Sequence, residues 1–294
     1  MDNKQYKNDV KEEENHWNKT AEEELNKFPP DYLFYQKTIP YEIYRNVYVK
    51  RMLSQIKPKD KILELGCYNG WFTLEMARKG AVVDAHDISS KAIEIAQKYY
   101  KKQKKIENFK GRINYFKTDL NYPKFPTNVY DKIVIRNVLH HLINLKTLYK
   151  EINTSLKIDG LILVDDALPC GKKEAFVTGV LLFLLPTDIP YHQKFNRVFK
   201  KRNILTRTQG LVDAKGASPF ESITGEDHLF LLKKFFKCYY QQTFAAFIGT
   251  IVGHLKLQNP FKRYIITFFN YLDKFLIYIR LLQGTGYYLE GQKK

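Results

Sequence analysis

In the middle of the chain, short apolar runs alternate with segments in which apolar residues recur at helical spacing. Short apolar runs predict buried strands at KILELG, VVDAHDIS, INYFKTDL, YDKIVIRNV and GLILVDD. Between them, residues 71–79, 90–102 and 145–156 have helical spacing, with Ser90 expected to cap the second helix. Strands that alternate with helices predict right-handed crossovers and a parallel sheet covered on both faces. The pattern therefore indicates a doubly wound, Rossmann-like α/β fold.

Segments of a different kind flank this alternation. Residues 12–26 and 41–56 predict two helices before the first strand, and a strand, a long helix and a final strand are predicted at 236–244, 264–282 and 286–292. An apolar helix, a basic stretch and a polar loop lie between the fifth and sixth strands. The predicted parts are N-terminal helices that cover the ligand site (1–56), a core (57–166 and 235–294) and an insert that forms a substrate lid (167–234).

A loop with two glycines follows the first predicted strand. In ILELGCYNGWFT, Gly66 and Gly70 lack the spacing of the three glycines that cradle a pyrophosphate, and Tyr68 stands between them. The second strand ends at Asp87, 21 residues after Gly66, a spacing at which a carboxylate meets a ribose diol. Ligands of doubly wound sheets bind at the carboxyl ends of the strands. The loop and the acid together predict a site for an adenosine-containing ligand.

The successive motifs ILELGCYNG, VVDAHDIS, YFKTDL, YDKIVIRNVLHHL and IDGLILVDD resemble those of class I S-adenosylmethionine-dependent methyltransferases. The resemblance covers about residues 40–166 and is closest to small-molecule enzymes of the ubiquinone/menaquinone type. It implies a seven-stranded sheet, mostly parallel with an antiparallel last strand, and S-adenosylmethionine as the cofactor. A sulfonium cofactor has no pyrophosphate, which explains why the three-glycine spacing is not needed.

The resemblance also implies roles for individual positions. Glu64 and the backbone of both loop glycines would hold the methionine part, Asp87 the ribose, and Asp119 the adenine amine. Arg136 and Asn137 would face the sulfonium and its carboxylate. The complete predicted cofactor set is Glu64, Gly66, Tyr68, Gly70, Asp87, Ile88, Asp119, Leu120, Arg136 and Asn137. Tyr68 departs from the commoner ELGCGxG pattern of the family.

A hydroxyl acceptor must lose its proton at or before methyl transfer, and a histidine or carboxylate can take it. His141 and Asp166, which follow the fourth strand and end the fifth, are the candidate catalytic residues, and His140 and Asp165 are their neighbours. The LHHL stretch has an alternative role in starting a helix and lining the cofactor pocket. No spacing of histidine, cysteine and acidic residues predicts a metal site.

Other candidates outside the strand ends have simpler structural explanations. Ser218, Pro219 and Glu221 carry the signature of a capping box, so helix capping is the default explanation for Glu221. His192 and His254 lie in the insert and the tail, where His254 could face the cleft. Aromatic and basic residues of the insert suit a bulky acceptor with apolar and anionic parts. They are Tyr191, His192, Lys194, Phe195, Arg197 and 199–202.

The formal net charge of +17 bears on the partners of the chain. Such a charge attracts nucleic acid, anionic membranes or anionic substrates, but here the basic residues are dispersed. The expected partner is a small-molecule acceptor, a saccharide, a quinone-like ring or a lipid-linked compound, methylated on oxygen. An RNA methyltransferase is the first alternative, although RNVL stands where a base-methylating tetrapeptide would follow the fourth strand. A non-catalytic scaffold with the same fold is the second.

The three cysteines are widely spaced and form no CxxC pair, which favours a reducing compartment. The first residues carry no apolar export signal, and no apolar run reaches the roughly 20 residues that span a bilayer. The expected location is the cytoplasm. The helix over residues 264–282 is rich in apolar residues and interrupted by Asp273, Lys274 and Arg280. It is predicted to pack on the sheet, with peripheral membrane contact as the lesser alternative.

Overall fold

The computed structural model describes residues 2–25, 29–196, 219–220, 228–258 and 261–294. Its centre is a seven-stranded sheet of order β3-β2-β1-β4-β5-β7-β6. The strands are β1 (Lys61–Leu65), β2 (Val82–Asp87), β3 (Arg112–Lys117), β4 (Tyr130–Arg136), β5 (Leu156–Ala167), β6 (Phe236–Phe244) and β7 (Gly286–Lys293). β1 to β5 pair in parallel, and β7 runs antiparallel to both β5 and β6. The predicted mixed sheet is confirmed.

Helices cover both faces of the sheet. They are α1 (Asn3–Leu25), α2 (Tyr32–Tyr35), α3 (Asn46–Ser54), α4 (Trp71–Arg78), α5 (Ser90–Glu107), α6 (Leu145–Ser155), α7 (Lys172–Leu184), α8 (Tyr191–Phe195), α9 (His228–Phe235), α10 (Ile248–His254) and α11 (Phe261–Tyr278). A π-helical turn, Tyr41–Arg45, leads into α3, and a 3₁₀ turn, Leu139–His141, follows β4. One apolar core lies under α3, α4 and α11, and a second lies under α6 and α9.

Several boundaries differ from the sequence prediction; α11, for example, is Phe261–Tyr278 instead of 264–282. α1 begins at Asn3 instead of residue 12, because its polar first half is held by contacts with the rest of the protein that no apolar period reveals. Ser89, not Ser90, caps α5, since its hydroxyl accepts the backbone N–H of Ala92 at 3.0 Å. β5 begins at Leu156, where α6 passes into the strand without a separate loop.

The strand order places the site. From β1 the chain winds outward to β2 and β3, and then returns so that β4 lies on the other side of β1. The carboxyl ends of β1 and β4 therefore flank the point where the winding direction reverses, which is the crevice where doubly wound sheets bind ligands. The loop after β1 and the 3₁₀ turn after β4 face one another across this crevice.

The elements after β5 extend the body of the protein. α7 packs against α10 and α11 through Leu182, Phe247 and Ile251, while α9 packs on α6. Asp273 of α11 is buried and accepts the backbone N–H groups of Ala246, Phe247 and Ile248 at the start of α10. These bonds satisfy amide groups that a helix start leaves without partners, and they fix how α11 is turned. No helix in the described part of the chain is long and apolar enough to cross a membrane.

Candidate active site

A cavity of about 200 Å³ opens at the reversal point between β1 and β4, and we call it the cofactor cavity. Nine of the ten residues that the sequence assigns to the cofactor line it: Glu64, Gly66, Tyr68, Asp87, Ile88, Asp119, Leu120, Arg136 and Asn137. Gly70 lies behind the loop, where a Cβ would approach the Ala96 Cβ to 2.7 Å. It starts α4 with a left-handed φ of 76°, and its contact with the cofactor stays a prediction.

The backbone of the loop after β1 is bent by consecutive unusual conformations. Gly66 has φ 75°, and a Cβ at this position would lie 2.7 Å from the Cβ of Val138. Tyr68 also has a positive φ of 48°, which turns its N–H toward the Asp87 carboxylate at 2.7 Å. The Tyr68 ring then lies under α1, packed against Ala21 and edge-on to Trp17. Tyr68 thus stiffens the loop and provides a floor for the N-terminal helix.

Asp87 is fixed before any ligand arrives. Its second carboxylate oxygen accepts the N–H of Ser89 at 2.9 Å, so both oxygens are held by backbone donors. Burial raises the pKa of Asp87 to about 6, and these backbone hydrogen bonds oppose the rise. A buried carboxylate in a fixed position can accept hydrogen bonds from the two hydroxyls of a ribose.

Glu64, at the end of β1, lies deeper in the cofactor cavity. Its carboxylate accepts the Thr73 hydroxyl at 2.5 Å. Burial raises the pKa of Glu64 to about 7, with the Thr73 bond and the charge of Arg136 opposing the rise. Glu64 is therefore close to the balance between its charged and neutral forms at neutral pH, and a cationic group beside it would favour the charged form.

Arg136, at the end of β4, is almost fully buried. Its guanidinium lies 3.3 Å from Asp165 and within 4.7 Å of the ring centroids of Trp71 and Phe72. Its Nε atom is buried without a hydrogen-bond partner among the described residues. Asp165 therefore holds Arg136 in place, and the unsatisfied donor marks a position suited to an anionic group such as a carboxylate.

Helix α1 covers the cofactor cavity with residues that the sequence analysis did not select. Glu13 is buried in the lining and accepts the Trp17 indole N–H at 2.7 Å. Tyr6 donates to the Asp119 carboxylate, the group assigned to the adenine amine. Tyr6, Glu13 and Trp17 are separated by seven and four residues, which places them on one helix face. That spacing was readable in the sequence, but Tyr6 precedes the predicted start of the helix.

Polar contacts tie α1 to the start of α5. The Asn18 side-chain oxygen accepts both the Ser89 hydroxyl and the Lys91 N–H, at 2.8 and 3.0 Å. Glu14 lies 2.7 Å from the ammonium group of Lys117. Phe220, which lies within the insert, closes the cavity beside Tyr6, with ring centroids 6.2 Å apart. A bound adenosine would therefore be enclosed between the sheet and α1.

The residues fit S-adenosylmethionine. Asp87 suits the ribose, Ile88 and Leu120 offer apolar contact to the adenine, and the unpaired Nε donor of Arg136 suits the methionine carboxylate. Gly66 leaves space that any Cβ would fill. The Asp119 carboxylate is already bonded to Tyr6 and to the Asn121 N–H at 2.9 Å, so an adenine amine would share or replace these bonds.

A second cavity of about 420 Å³ adjoins the first, and we call it the acceptor cavity. Trp17, Asn137 and His141 line both cavities. The rest of its wall comes from the π-helical turn, the ends of β5 to β7, and α10. It includes Tyr44, Arg45, His140, Asp166, Phe244, Thr250, Gly253 and His254. Ala167 is the only described residue of the predicted insert that lines the acceptor cavity, so the role of 167–234 as a substrate lid stays a prediction.

His140 and Asp166 form a hydrogen-bonded pair in the acceptor cavity. The Nδ1 atom of His140 lies 2.6 Å from Oδ1 of Asp166. The other oxygen of Asp166 accepts the N–H groups of Val138 and Leu139, at 2.9 and 2.8 Å. Burial would raise the pKa of Asp166, but the charge and hydrogen bond of His140 outweigh it and lower the pKa to about 2. Asp166 is therefore an anion that orients the His140 ring.

His141 is less suited to act as the base than its neighbour. It is packed edge-on against Trp17 and lies 3.5 Å from Glu13. Burial, with the neighbouring charge of His140, lowers the pKa of His141 to about 3. A ring with so low a pKa binds a proton weakly at neutral pH. His140, not His141, is thus the histidine bonded to Asp166, and which of them acts as a base stays a prediction.

Of the remaining predicted residues, one lies at the acceptor cavity and the others do not or lie outside the described part of the chain. His254 lines the acceptor cavity and is held by Asp188, with Nδ1 2.9 Å from Oδ1. His192 is exposed on α8, and Glu221 lies outside the described residues, so its capping role stays a prediction. In the described part of the chain, no group of three or more histidine, cysteine or acidic side chains could hold a metal ion.

Cofactor affinity is expected to fall as the pH drops from about 8 to about 5, because Asp87 must be ionised to accept both ribose hydroxyls and its pKa is about 6. The free energy of unfolding of the cofactor-free protein should rise over the same range. The folded state holds the Asp87 proton more tightly than the unfolded state does, so Asp87 adds to the free energy of unfolding as the pH falls toward 4. Calorimetric titration with S-adenosylhomocysteine and thermal unfolding across this range measure the two effects. Parallel changes in both quantities would contradict the assignment.

Comparison with known proteins agrees with this geometry. Residues 63–164, about a third of the chain, match the family described as "Methyltransferase domain". The ubiquinone biosynthesis O-methyltransferase of Schizosaccharomyces pombe is 30% identical over 156 residues, which cover 52% of this chain and 56% of that protein. The (S)-coclaurine N-methyltransferase of Thalictrum flavum subsp. glaucum is 25% identical over 123 residues, 42% of this chain and 32% of that protein.

The chain spans only about half the length of the first curated relative and a third of the second. Among solved structures, an S-adenosylmethionine-dependent methyltransferase from Mesorhizobium loti aligns over 83% of this chain and 95% of its own, with a TM-score of 0.46 and 14% identity. The matched region 63–164 contains β2 to β4 and most of β1 and β5, together with the predicted cofactor residues. The chain therefore carries a methyltransferase domain over residues 63–164, in a seven-stranded sheet of the class I methyltransferase fold.

Proposed function

We propose that this protein methylates a hydroxyl group of a small molecule, with S-adenosylmethionine as the donor. The observation that carries the proposal is the junction of the two cavities, where the predicted methionine end of the cofactor cavity meets the acceptor cavity at Asn137 and His141. His140 lies on the acceptor side, with its ring held by Asp166 at 2.6 Å. An acceptor in this cavity would have a base on one side and the methyl donor on the other.

S-adenosylmethionine supplies an electrophilic methyl group when it is bound. The chain itself aligns the acceptor, takes its proton and keeps water out. His140 would accept the hydroxyl proton, because Asp166 fixes one ring nitrogen and its negative charge stabilises the imidazolium that forms. Trp17, which lines both cavities, and the rest of α1 would shield the junction from solvent.

Arg45 suggests the charge of the acceptor. It lines the acceptor cavity, and no carboxylate lies within salt-bridge distance of its guanidinium in the described part of the chain. Burial opposes the charge of Arg45, but Asp165 and the neighbouring tyrosines outweigh it and raise its pKa, so the side chain remains a cation. A cation without a close ionic partner in a cavity suits a carboxylate or phosphate on the ligand. We therefore propose an anionic hydroxylated acceptor.

The curated relatives support a small-molecule acceptor, and their names point to different atoms. One is a ubiquinone biosynthesis O-methyltransferase and the other an N-methyltransferase. The His140–Asp166 pair in the acceptor cavity favours oxygen as the methylated atom, because a neutral amine attacks without prior loss of a proton. A quinone-like ring, a saccharide and a lipid-linked compound are the acceptor classes to test. RNA is the control that addresses the net charge of +17.

A larger side chain in the acceptor cavity should weaken acceptor binding and leave cofactor binding unchanged. Gly253 lines this cavity, and a Cβ at this position meets no atom within 4 Å. We expect Gly253→Leu to raise the acceptor KM by about tenfold or more, since the side chain would occupy acceptor space. The matched control, Gly253→Ala, should change KM little and raise the thermal midpoint, because alanine is the better helix residue.

The measurement is a screen of cofactor consumption across phenolic, glycan and carboxylated hydroxy acceptors, each paired with an analogue that lacks the hydroxyl and one that has an amine in its place. A product mass increase only with the hydroxyl compounds supports the proposal. Transfer to the amine analogues would assign N-methylation instead. Transfer to RNA with a steep salt dependence would assign the nucleic-acid alternative.

A further inference from the structure

The solvent face of α11 carries an uninterrupted stripe of aromatic side chains. Six residues, at successive spacings of three and four, are each between 56% and 84% exposed: Phe261, Tyr264, Phe268, Tyr271, Phe275 and Tyr278. The opposite face is buried and contains Ile266 and Asp273. Because Asp273 is bonded to three backbone N–H groups at the start of α10, α11 cannot turn its aromatic face inward without breaking those bonds.

The stripe is too large to be a chance surface feature. A phenylalanine or tyrosine side chain covers about 200 Å², so six that are mostly exposed present about 800 Å² to solvent. Soluble monomers rarely expose continuous apolar patches beyond a few hundred Å². A helix that is apolar on its outer as well as its inner face needs a second covering surface.

The aromatic residues are sorted around the helix. At 100° per residue, the three phenylalanines form one row and the three tyrosines a second row about 60° away. Lys274 lies beyond the tyrosine row, about 60° further round, and Arg263 beside it is paired with Glu42. The helix surface therefore grades from fully apolar rings, through rings with a polar tip, to cations. This is the order from the acyl chains to the phosphate groups of a bilayer interface.

The neighbouring helix α7 also exposes apolar side chains. It packs against α11 through Val177, Leu181 and Leu182, while Phe176, Val180 and Leu184 form an exposed row at spacings of four. Lys172 and Lys173, at the start of α7, share one surface depression with Arg280, which follows α11. Cations therefore also lie at the end of the stripe.

We propose that α11 and α7 form a docking surface for an anionic membrane, with the helices lying in the interface. The charges select this partner over a second copy of the chain. Two chains of net charge +17 repel each other, whereas anionic lipids attract both the cations beside the stripe and the protein as a whole. Two acidic groups beside the surface are already engaged. Glu42 pairs with Arg263, and Glu174 is buried and accepts the N–H of Gln283.

The inference does not depend on which acceptor is methylated. α10, which lines the acceptor cavity through Gly253 and His254, packs against α11, so docking would hold this wall of the cavity near the membrane. Methyl transfer to a water-soluble acceptor could be shown with no membrane present. Failure of membrane docking would therefore leave the proposed function standing, and failure of the proposed function would leave docking testable.

The experiment is flotation of the full chain with vesicles of phosphatidylcholine alone and of phosphatidylcholine with about 30% phosphatidylglycerol. We expect flotation only with the anionic vesicles, and a loss of about tenfold or more in the bound fraction in high salt. The variant Phe261→Ser with Phe268→Ser and Phe275→Ser should lose binding by at least about tenfold. The matched control, Ile106→Ser with Ile158→Ser, removes exposed apolar residues elsewhere and should bind as the native chain does.

Cofactor affinity and the thermal midpoint, measured on every variant, show that the fold is intact. Absence of flotation by the native chain, or equal flotation of the phenylalanine variant, overturns the proposal. Sedimentation of the native chain as a dimer that the phenylalanine variant dissociates, without vesicle binding, would assign the surface to a second copy of the chain.

Discussion

Asp87→Asn is expected to weaken binding of S-adenosylhomocysteine by at least about 100-fold. The two ribose hydroxyls would lose a charged acceptor, and a hydrogen bond to a charged group contributes about 1.5 to 3 kcal/mol. Two such bonds correspond to a factor of about 100 or more in Kd. The asparagine amide would also face the N–H of Tyr68 or Ser89 with a second donor, which disturbs the loop that Asp87 now holds at 2.7 and 2.9 Å.

The measurement is calorimetric titration, with Asp84→Asn as the control. Asp84 is on the same strand, bonds Asn114 and Tyr130, and lies away from the cofactor cavity. We expect the control to bind the cofactor as the native chain does. The pH dependence of cofactor binding should be reduced in Asp87→Asn, and what remains should come from Glu64, whose pKa is about 7. Unchanged affinity in that variant would remove Asp87 from the site.

The sequence predicts the core of the fold because the strands are buried on both faces. A buried strand such as β4 reads as a continuous apolar run, and the alternation of strands with helices leaves few topologies. The boundaries were less accurate where tertiary contacts decide them. α1 extends forward to Asn3 since Tyr6 reaches Asp119 across the cofactor cavity, and the pattern of α1 itself contains no sign of that partner.

In the candidate site, too, the features set by local sequence could be predicted and those set by tertiary contacts could not. Residues at strand ends, such as Asp87 and Arg136, could be predicted because their distance from a strand is fixed in sequence, and both line the cofactor cavity. Glu13 and Trp17 were missed because they reach the cavity from a helix that is distant along the chain. The choice between His140 and His141 was also beyond the sequence. Adjacent residues on a 3₁₀ turn point in different directions, and only the structure shows which of them meets Asp166.

His140→Gln is expected to lower kcat by about 100-fold to 10,000-fold, the usual range for loss of a positioned acid or base. Glutamine keeps a similar size and can still bond Asp166, so cofactor Kd and acceptor KM should stay within about threefold of the native values. The acidic limb of the native rate profile, which reports the base in its neutral form, should be absent from the variant. Single-turnover kinetics over a pH series measure all of these quantities.

His141→Gln is the matched control, since His141 adjoins His140 and lines both cavities but lacks the bond to Asp166. It should retain the acidic limb and most of kcat. If the acceptor is a phenol that is already ionised, the His140 variant should recover its rate as the pH approaches the pKa of the phenol, because no proton then remains to be removed. A kcat that is unchanged for an aliphatic hydroxyl acceptor in His140→Gln would show that methyl transfer proceeds without this base. The pair with Asp166 would then serve only to hold the turn after β4.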